Sequence, residues 1–189
     1  MSRFEFRMWS DDPVDVVRRL EDMAVPEESK GSTELYILSG DDMSTNAKVR
    51  DGVLDIKRMV GSYRGLERWE PCFKCPLPLS ADVLRDRVAS ILALPPEAVT
   101  RENYDLETLV REILEPAPAL RPVTVHKRRR RFVWRETLGE HTYVSIGDWT
   151  SQTVAVESEK PGEVFDAVAE LGMGGADNVN YQRAIRMAL

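Results

Sequence analysis

Apolar and polar positions alternate with period two in several stretches of the chain. Arg3 to Trp9 places charged and apolar residues in turn, which predicts a strand with one charged and one apolar face. Asp51-Gly52 separates two further alternating runs and is typical of a β-hairpin. Strands are also predicted at Glu34 to Leu38, Leu66 to Lys74, Val123 to Trp134, His141 to Trp149 and Thr153 to Glu159.

Helices are predicted where apolar residues recur at helical spacing. Ser10-Asp11-Asp12-Pro13 precedes such spacing and predicts a helix over about 13–23. Two helices are expected within 80–116, another from Pro161 to Gly172, and a short one in the tail. Pro26 to Thr33 is predicted as a polar loop and Leu138-Gly139-Glu140 as a turn.

This order of elements predicts an α+β fold. Seven or eight antiparallel strands with helices between and after them favour a closed or nearly closed antiparallel β-barrel of about eight strands, with flanking helices and a helical insertion at about 80–116. Since 189 residues is close to the usual size of one domain, residues 1–189 are predicted to form a single domain.

Apolar run lengths and the cysteine count indicate where in the cell the protein is expected. The longest apolar runs span only a few residues, and the N-terminus lacks the apolar region of a signal peptide. With two cysteines and no export signal, we expect a cytoplasmic protein that has no disulfide framework and does not associate with membranes. In Cys72-Phe73-Lys74-Cys75, ordinary packing is favoured over metal or redox use, because Pro76 follows and both histidines are remote in sequence.

Positive charge is concentrated in one segment of an acidic chain. The net charge is −6, yet Pro122 to Arg135 carries +6 without any carboxylate. This asymmetry indicates a local anion site and disfavours broad coating of nucleic acid. Nucleic acid is therefore not expected to be the main partner, although the basic run leaves that function open.

Charges also share strand faces, because side chains two residues apart point the same way. Solvent faces of half-exposed strands are one explanation. However, such faces usually mix both signs, whereas here the signs are segregated by strand. A polyphosphate with divalent metals would supply the missing counter-charge. The segregated groups are the basic pair Lys48 and Arg50, the basic triplet Lys127, Arg129 and Arg131, and the acidic pair Glu157 and Glu159. Glu5 and Arg7 also share a face, with opposite charges.

The order of these charged motifs along the chain resembles that of the CYTH superfamily, the triphosphate tunnel metalloenzymes. Arg3-Phe4-Glu5-Phe6-Arg7 stands where that family has ExExK, and Lys48-Val49-Arg50-Asp51-Gly52 with Lys57 is similar to its R-x-R-D-G…K hairpin. Lys127 to Phe132 resembles a later K-x-R-x-x-aromatic strand, and Asp148 could be the aspartate that follows. The family's E-x-E is either Glu157-Ser158-Glu159 or Ala155-Val156-Glu157.

The resemblance implies a triphosphate or organic polyphosphate bound in a barrel lumen, and metal-assisted hydrolysis of its terminal phosphoanhydride. It implies Mg²⁺ or Mn²⁺ as the cofactor and a small-molecule phosphate compound as the partner, and it leaves homodimerisation open. The catalytic residues implied are Glu5, Arg7, Lys57 and Arg129. The phosphate-binding residues implied are Arg7, Lys48, Arg50, Lys57, Lys127, Arg129 and Arg131. The metal ligands implied are Glu5, Asp148, Glu157 and Glu159.

Two departures from the family pattern suggest a second function. Arg3 replaces the first glutamate of ExExK, whereas Arg7 is a conservative replacement of its lysine. Ala155 replaces the first glutamate of E-x-E if that motif is Ala155-Val156-Glu157. Losing a carboxylate weakens metal binding, so a phosphate-binding or sensing module without hydrolase activity is the alternative. The five consecutive basic residues at 127–131 leave open which face of that strand points inward.

Overall fold

Eight antiparallel strands close into a barrel in the computed structural model of the chain. It describes the backbone of residues 1–189 and every side chain except that of Pro96. The barrel strands are β1 (Arg3–Ser10), β2 (Lys30–Ser39), β3 (Thr45–Arg50), β4 (Val53–Tyr63), β5 (Leu66–Pro76), β8 (Leu120–Trp134), β9 (Thr137–Ile146) and β10 (Trp149–Ser158). Their order around the barrel is β1-β10-β9-β8-β2-β3-β4-β5, which confirms the predicted α+β barrel.

Short strands and helices complete the fold. A separate two-stranded sheet pairs β6 (Leu79–Ser80) with β7 (Asn103–Tyr104). The helices are α1 (Val14–Met23), α2 (Ala81–Val83), α3 (Ala89–Leu92), α4 (Leu106–Leu109), α5 (Pro161–Leu171) and α6 (Tyr181–Ala188). Single π-helical turns at Leu84–Val88 and Val110–Leu114 continue α2 and α4, and a 3-10 turn covers Pro96–Ala98. None of the helices that the structure describes is long and apolar enough to cross a lipid bilayer.

The chain divides into two compact units. Unit 1 comprises Met1–Thr33, Met59–Glu70 and Val125–Leu189, and unit 2 comprises Glu34–Arg58 and Pro71–Thr124. In unit 1, apolar residues of β1, β8 and β10 form a buried cluster with α1 and α5. In unit 2, apolar residues of β3 and β4 form another with the helical segments between 81 and 114. Each unit therefore has its own apolar core.

The start of β2 corrects the sequence prediction. Lys30 to Thr33 was expected to lie in the polar loop, but these residues already belong to the strand. A strand at an interior position of a sheet is held by backbone pairing with its neighbours, so polar side chains do not end it. β2 lies beside β8 in the barrel, and the loop ends at residue 29.

A second correction concerns Gly139, which was predicted to lie in a turn. Residues 138–140 instead lie within β9, and the turn falls at Arg135 and Glu136. The glycine is required by packing, because a Cβ at position 139 would lie 2.6 Å from Cζ3 of Trp134. Glycine occurs both in turns and where another group approaches a strand closely, so the sequence alone did not distinguish the two cases.

Candidate functional site

Side-chain alternation gives the unit 1 strands two chemically different faces. Phe6, Phe132 and Val156 lie on the face that packs against α1 and α5. Since the strand order is closed, we call the opposite face the inner face. The strand register places three of the five consecutive basic residues on this inner face, namely Lys127, Arg129 and Arg131. Charged residues of the other strands on the same face are Arg3, Glu5 and Arg7 on β1, Glu67 on β5, Glu140 on β9 and Glu157 on β10.

Arg7 lies on the inner face and is buried, with only 6% of its surface exposed. Its Nε donates to Glu5 Oε1 over 2.8 Å, and its Nη1 contacts Glu140 Oε1 at 3.4 Å. Burial on its own lowers the pKa of the guanidinium, but Glu5, Tyr181 and Glu140 more than offset this, so the pKa of Arg7 is raised. The group is therefore a permanent positive charge in a site largely shielded from water.

Glu140 links Arg7 to a second cation of the inner face. Its Oε2 lies 3.3 Å from Nη1 of Arg129, and the hydroxyl of Thr142 donates to Oε1 over 3.1 Å. Both guanidinium contacts are longer than the 2.7–2.9 Å typical of strong charge-assisted hydrogen bonds. Glu140 thus holds Arg7 and Arg129 in place without saturating either group.

The segment that leads into α6 covers part of this face. Asn180 caps the helix by accepting from the backbone N–H of Arg183. The ring of Tyr181 lies between two of the cations, with its centroid 4.5 Å from Cζ of Arg7 and 3.6 Å from Nζ of Lys127. Asn178 accepts from the backbone N–H of Arg7, which fixes the segment to β1. Lys127, 7% exposed, is held by a cation–π contact.

Unit 2 contains a separate cationic cluster. Glu34, whose surface is fully buried, contacts Nζ of Lys48 at 3.2 Å and Nη1 of Arg50 at 3.6 Å. Lys48 Nζ also lies 5.5 Å from the ring centroid of Tyr36. In the hairpin register Lys48 opposes Asp55, which places Lys57 on the same face two residues further along β4. These cations lie on the face opposite the apolar core of unit 2.

Two of the predicted metal ligands are direct neighbours in the sheet of unit 1. Glu5 on β1 is paired with Glu157 on β10 and, on its other side, with Glu67 on β5. Glu67 accepts from the indole of Trp69 (3.1 Å) and the amide of Asn180 (2.9 Å). Burial, the largest cause, raises the pKa of Glu67, and the charge of Glu5 acts in the same direction.

The other two predicted ligands lie elsewhere. Asp148 is exposed in the turn between β9 and β10, and Glu159 is exposed just after β10 ends. Of the two E-x-E alignments, Ala155 and Glu157 are the residues that pair with Arg7 and Glu5. The structure therefore brings Glu157, but neither Asp148 nor Glu159, beside Glu5 in the sheet.

The carboxylates of the inner face do not fit a divalent metal as they stand. Glu5 accepts from Arg7, and Glu157 accepts from Nη1 of Arg3 at 3.2 Å, so one oxygen of each carboxylate already contacts a guanidinium. Among the residues with described side chains, no three His, Cys, Asp or Glu converge as a metal-binding group. The charge of these two carboxylates is therefore balanced by arginine side chains of the chain itself.

Three residues of these clusters were not predicted from the sequence. Glu140 was expected to lie in a turn, so neither its register with Arg131 nor its contact with Arg129 could be predicted. Glu34 begins the predicted ELYIL strand. Its alternation with Tyr36 in that strand was the signal that could have placed both side chains on one polar face. Tyr181 lies in the tail, for which the sequence predicts only a short helix. Only the fold brings Tyr181 beside Arg7.

The CxxC segment lies outside both clusters. Cys72 is exposed and its Sγ donates to the backbone oxygen of Ile56 at 3.3 Å, whereas Cys75 is half-buried; both are free thiols.

His141 predicts how stability depends on pH. It is 2% exposed on the face opposite the inner face, accepts at Nδ1 from Arg130 (3.1 Å) and donates from Nε2 to Gln152 (2.9 Å). Burial, and then Arg130, lower the pKa of the ring below 6.5. Because the unfolded chain binds this proton at a higher pH than the folded one, stability is lost as pH falls below about 6.5.

The measurement is urea unfolding of the wild type and His141→Gln at pH 7.5 and 5.5. The free energy of unfolding of the wild type should fall more than that of the variant, by at most about 1.4 kcal/mol per pH unit. Other titrating groups are present in both proteins and cancel. Equal pH dependence of the two would show that the imidazole is not responsible.

Comparisons with known proteins identify the fold alone. No protein-family model and no curated protein matches the chain. Among solved structures, PH1012 from Pyrococcus horikoshii OT3 is 14% identical, with a TM-score of 0.59 over 95% of this chain and 97% of that one. HpAC1 from Hippeastrum, for which a dominant triphosphatase activity is described, is 15% identical (TM-score 0.56; 100% and 96% covered). A Bacillus halodurans protein classed as an adenylate cyclase is 11% identical (0.54; 97% and 95%).

Proposed function

We propose that this protein binds the phosphate chain of a triphosphate or organic polyphosphate on the inner face of unit 1. Lys127, Arg7 and Arg129 are the phosphate-binding residues in this proposal. The shared barrel fold supports it, and with the motif resemblance it supports placing the chain as a divergent member of the CYTH superfamily. Lys48, Arg50 and Lys57 of unit 2 are proposed to bind phosphate groups as well.

The observation that carries the proposal is the burial of Arg7 and Lys127 on one face. Burying a cation costs free energy unless an anion or a π system compensates. Here Arg7 donates to Glu5 over 2.8 Å, while Glu140 spans Arg7 and Arg129 through longer contacts. The ring of Tyr181 lies against Lys127. A phosphate oxygen would form shorter charge-assisted bonds with both guanidinium groups than Glu140 does. The arrangement of these side chains supports binding of a polyanion.

Metal-assisted hydrolysis, which the resemblance implies, is the competing function. It would assign catalysis to Glu5, Arg7, Lys57 and Arg129, and it would need Mg²⁺ or Mn²⁺ at carboxylates that now contact guanidinium groups. For this reason the geometry favours a module that binds or senses phosphate compounds without hydrolysing them.

Isothermal titration calorimetry with tripolyphosphate, ATP and inorganic sulfate tests the proposal, with EDTA present and at two salt concentrations. Saturable binding of the polyphosphates, weaker at high salt, is expected, with sulfate binding much less tightly because it contacts fewer cations. Phosphate release is then assayed with Mg²⁺ or Mn²⁺ added. Absence of binding would overturn the proposal, and metal-dependent release would support the hydrolase instead.

A further inference from the structure

We infer that Arg3 takes the place of a divalent cation at the carboxylate row of unit 1, which consists of Glu67, Glu5 and Glu157. Phosphate-chain binding by this protein then needs no metal. The inference rests on the proposed function, and it adds a specific role for a residue that departs from the family motif.

The carboxylate row is defined by strand pairing. Glu5 lies directly opposite Glu67 on one side and Glu157 on the other, so the three side chains share one face of adjacent strands. Directly opposite residues have Cβ atoms about 4.5–5.5 Å apart, and like charges at that spacing destabilise a sheet. The raised pKa of Glu67 agrees with this crowding, although burial is its larger cause. The row therefore needs positive charge or hydrogen-bond donors close by.

The chain itself supplies them. Arg3 contacts Glu157 at 3.2 Å, and Arg7 donates to Glu5 over 2.8 Å. Glu67 is satisfied by neutral donors, the indole of Trp69 and the amide of Asn180. A guanidinium cannot lose its proton in a protein, so it cannot become a neutral neighbour of a bound dication. Mg²⁺ or Mn²⁺ would have to displace Arg3 from Glu157 and then remain beside its charge.

Arg3 is the residue that decides this balance. It lies two residues before Glu5 on β1 and therefore on the same face. The Arg3→Glu substitution removes the guanidinium from Glu157 and adds a carboxylate to the inner face. Because the Arg3 and Glu157 side chains are 40% and 30% exposed, the change is made at a partly hydrated position and should be tolerated by the fold.

The first test titrates Mn²⁺ alone into the wild type, Arg3→Glu and Arg3→Gln, with free Mn²⁺ followed by electron paramagnetic resonance. Arg3→Glu is expected to bind Mn²⁺ at least about tenfold more tightly than the wild type, with Arg3→Gln, which only removes the charge, between them. Equal affinity of wild type and Arg3→Glu would overturn the inference. Should Arg3→Glu fail to fold by circular dichroism, equal Mn²⁺ affinity of wild type and Arg3→Gln would overturn it.

The second test measures tripolyphosphate affinity of the wild type with EDTA and with Mg²⁺. The inference predicts that Mg²⁺ does not tighten binding, and tightening by about tenfold or more would contradict it. Absence of tripolyphosphate binding in both conditions would refute the proposed function. The Mn²⁺ titration, which uses no phosphate, would still decide the role of Arg3.

Discussion

Replacing Arg7 with methionine is expected to lower the free energy of unfolding by about 3 kcal/mol and to abolish tripolyphosphate binding. Methionine keeps much of the side-chain volume but leaves Glu5 and Glu140 without their shared cation. These carboxylates are 19% and 20% exposed, so water screens them only in part. For that reason the expected cost lies at the lower end of the range for breaking a buried ion pair.

Urea unfolding monitored by circular dichroism gives the size of this effect. The double substitution Arg7→Met with Glu5→Gln should recover part of the stability, because it also removes the charge of the carboxylate that accepts from Arg7 over 2.8 Å. Arg18→Met is the matched control, since Arg18 pairs with Asp15 at the surface and should contribute less than about 0.5 kcal/mol. A loss below about 1 kcal/mol for Arg7→Met would refute a central role for this ion-pair network.

Replacing Glu34 with glutamine is expected to destabilise the protein by about 3 kcal/mol and to make it more responsive to phosphate compounds. Glu34 is fully buried and is the counter-charge that contacts both Lys48 and Arg50. Without it, two cations in unit 2 lack that anion. A phosphate group that binds the folded state would then supply the charge and recover stability by mass action.

Thermal unfolding with and without tripolyphosphate measures both effects. The midpoint of Glu34→Gln should start lower than that of the wild type and rise further when ligand is added. Glu107→Gln is the control, because Glu107 pairs with Arg111 on the surface and should change neither quantity. Equal ligand-induced shifts in Glu34→Gln and wild type would contradict the proposed anion binding in unit 2.

Strand periodicity made the barrel and part of the candidate site predictable from the sequence. Because strand side chains alternate strictly, Glu5 with Arg7 and Lys48 with Arg50 could be assigned to common faces before any register was known. The hairpin at Asp51-Gly52 was equally readable, since few other residues accept positive φ at both turn positions.

Register and long-range packing explain what could not be predicted. Only pairing between strands shows that Lys127 and Arg129 face inward and that Arg128 faces outward. Gly139 lies within β9, paired with Phe132 and Val156, and it is a glycine because Trp134 packs against it. A local sequence pattern does not show this packing requirement. Asp148, which was predicted to be a metal ligand, lies in a turn because β9 already ends at Ile146.

The most direct test of the central claim compares two neighbouring arginines of β8. Arg129 lies on the inner face and contacts Glu140, whereas Arg128 is on the other face and stacks on Tyr143 at 4.7 Å. Calorimetric titration of tripolyphosphate should show about tenfold weaker binding for Arg129→Gln and a change of no more than about twofold for Arg128→Gln. Equal losses for both variants would mean that phosphate is attracted by the overall charge of the basic strand, and the inner-face site would be refuted.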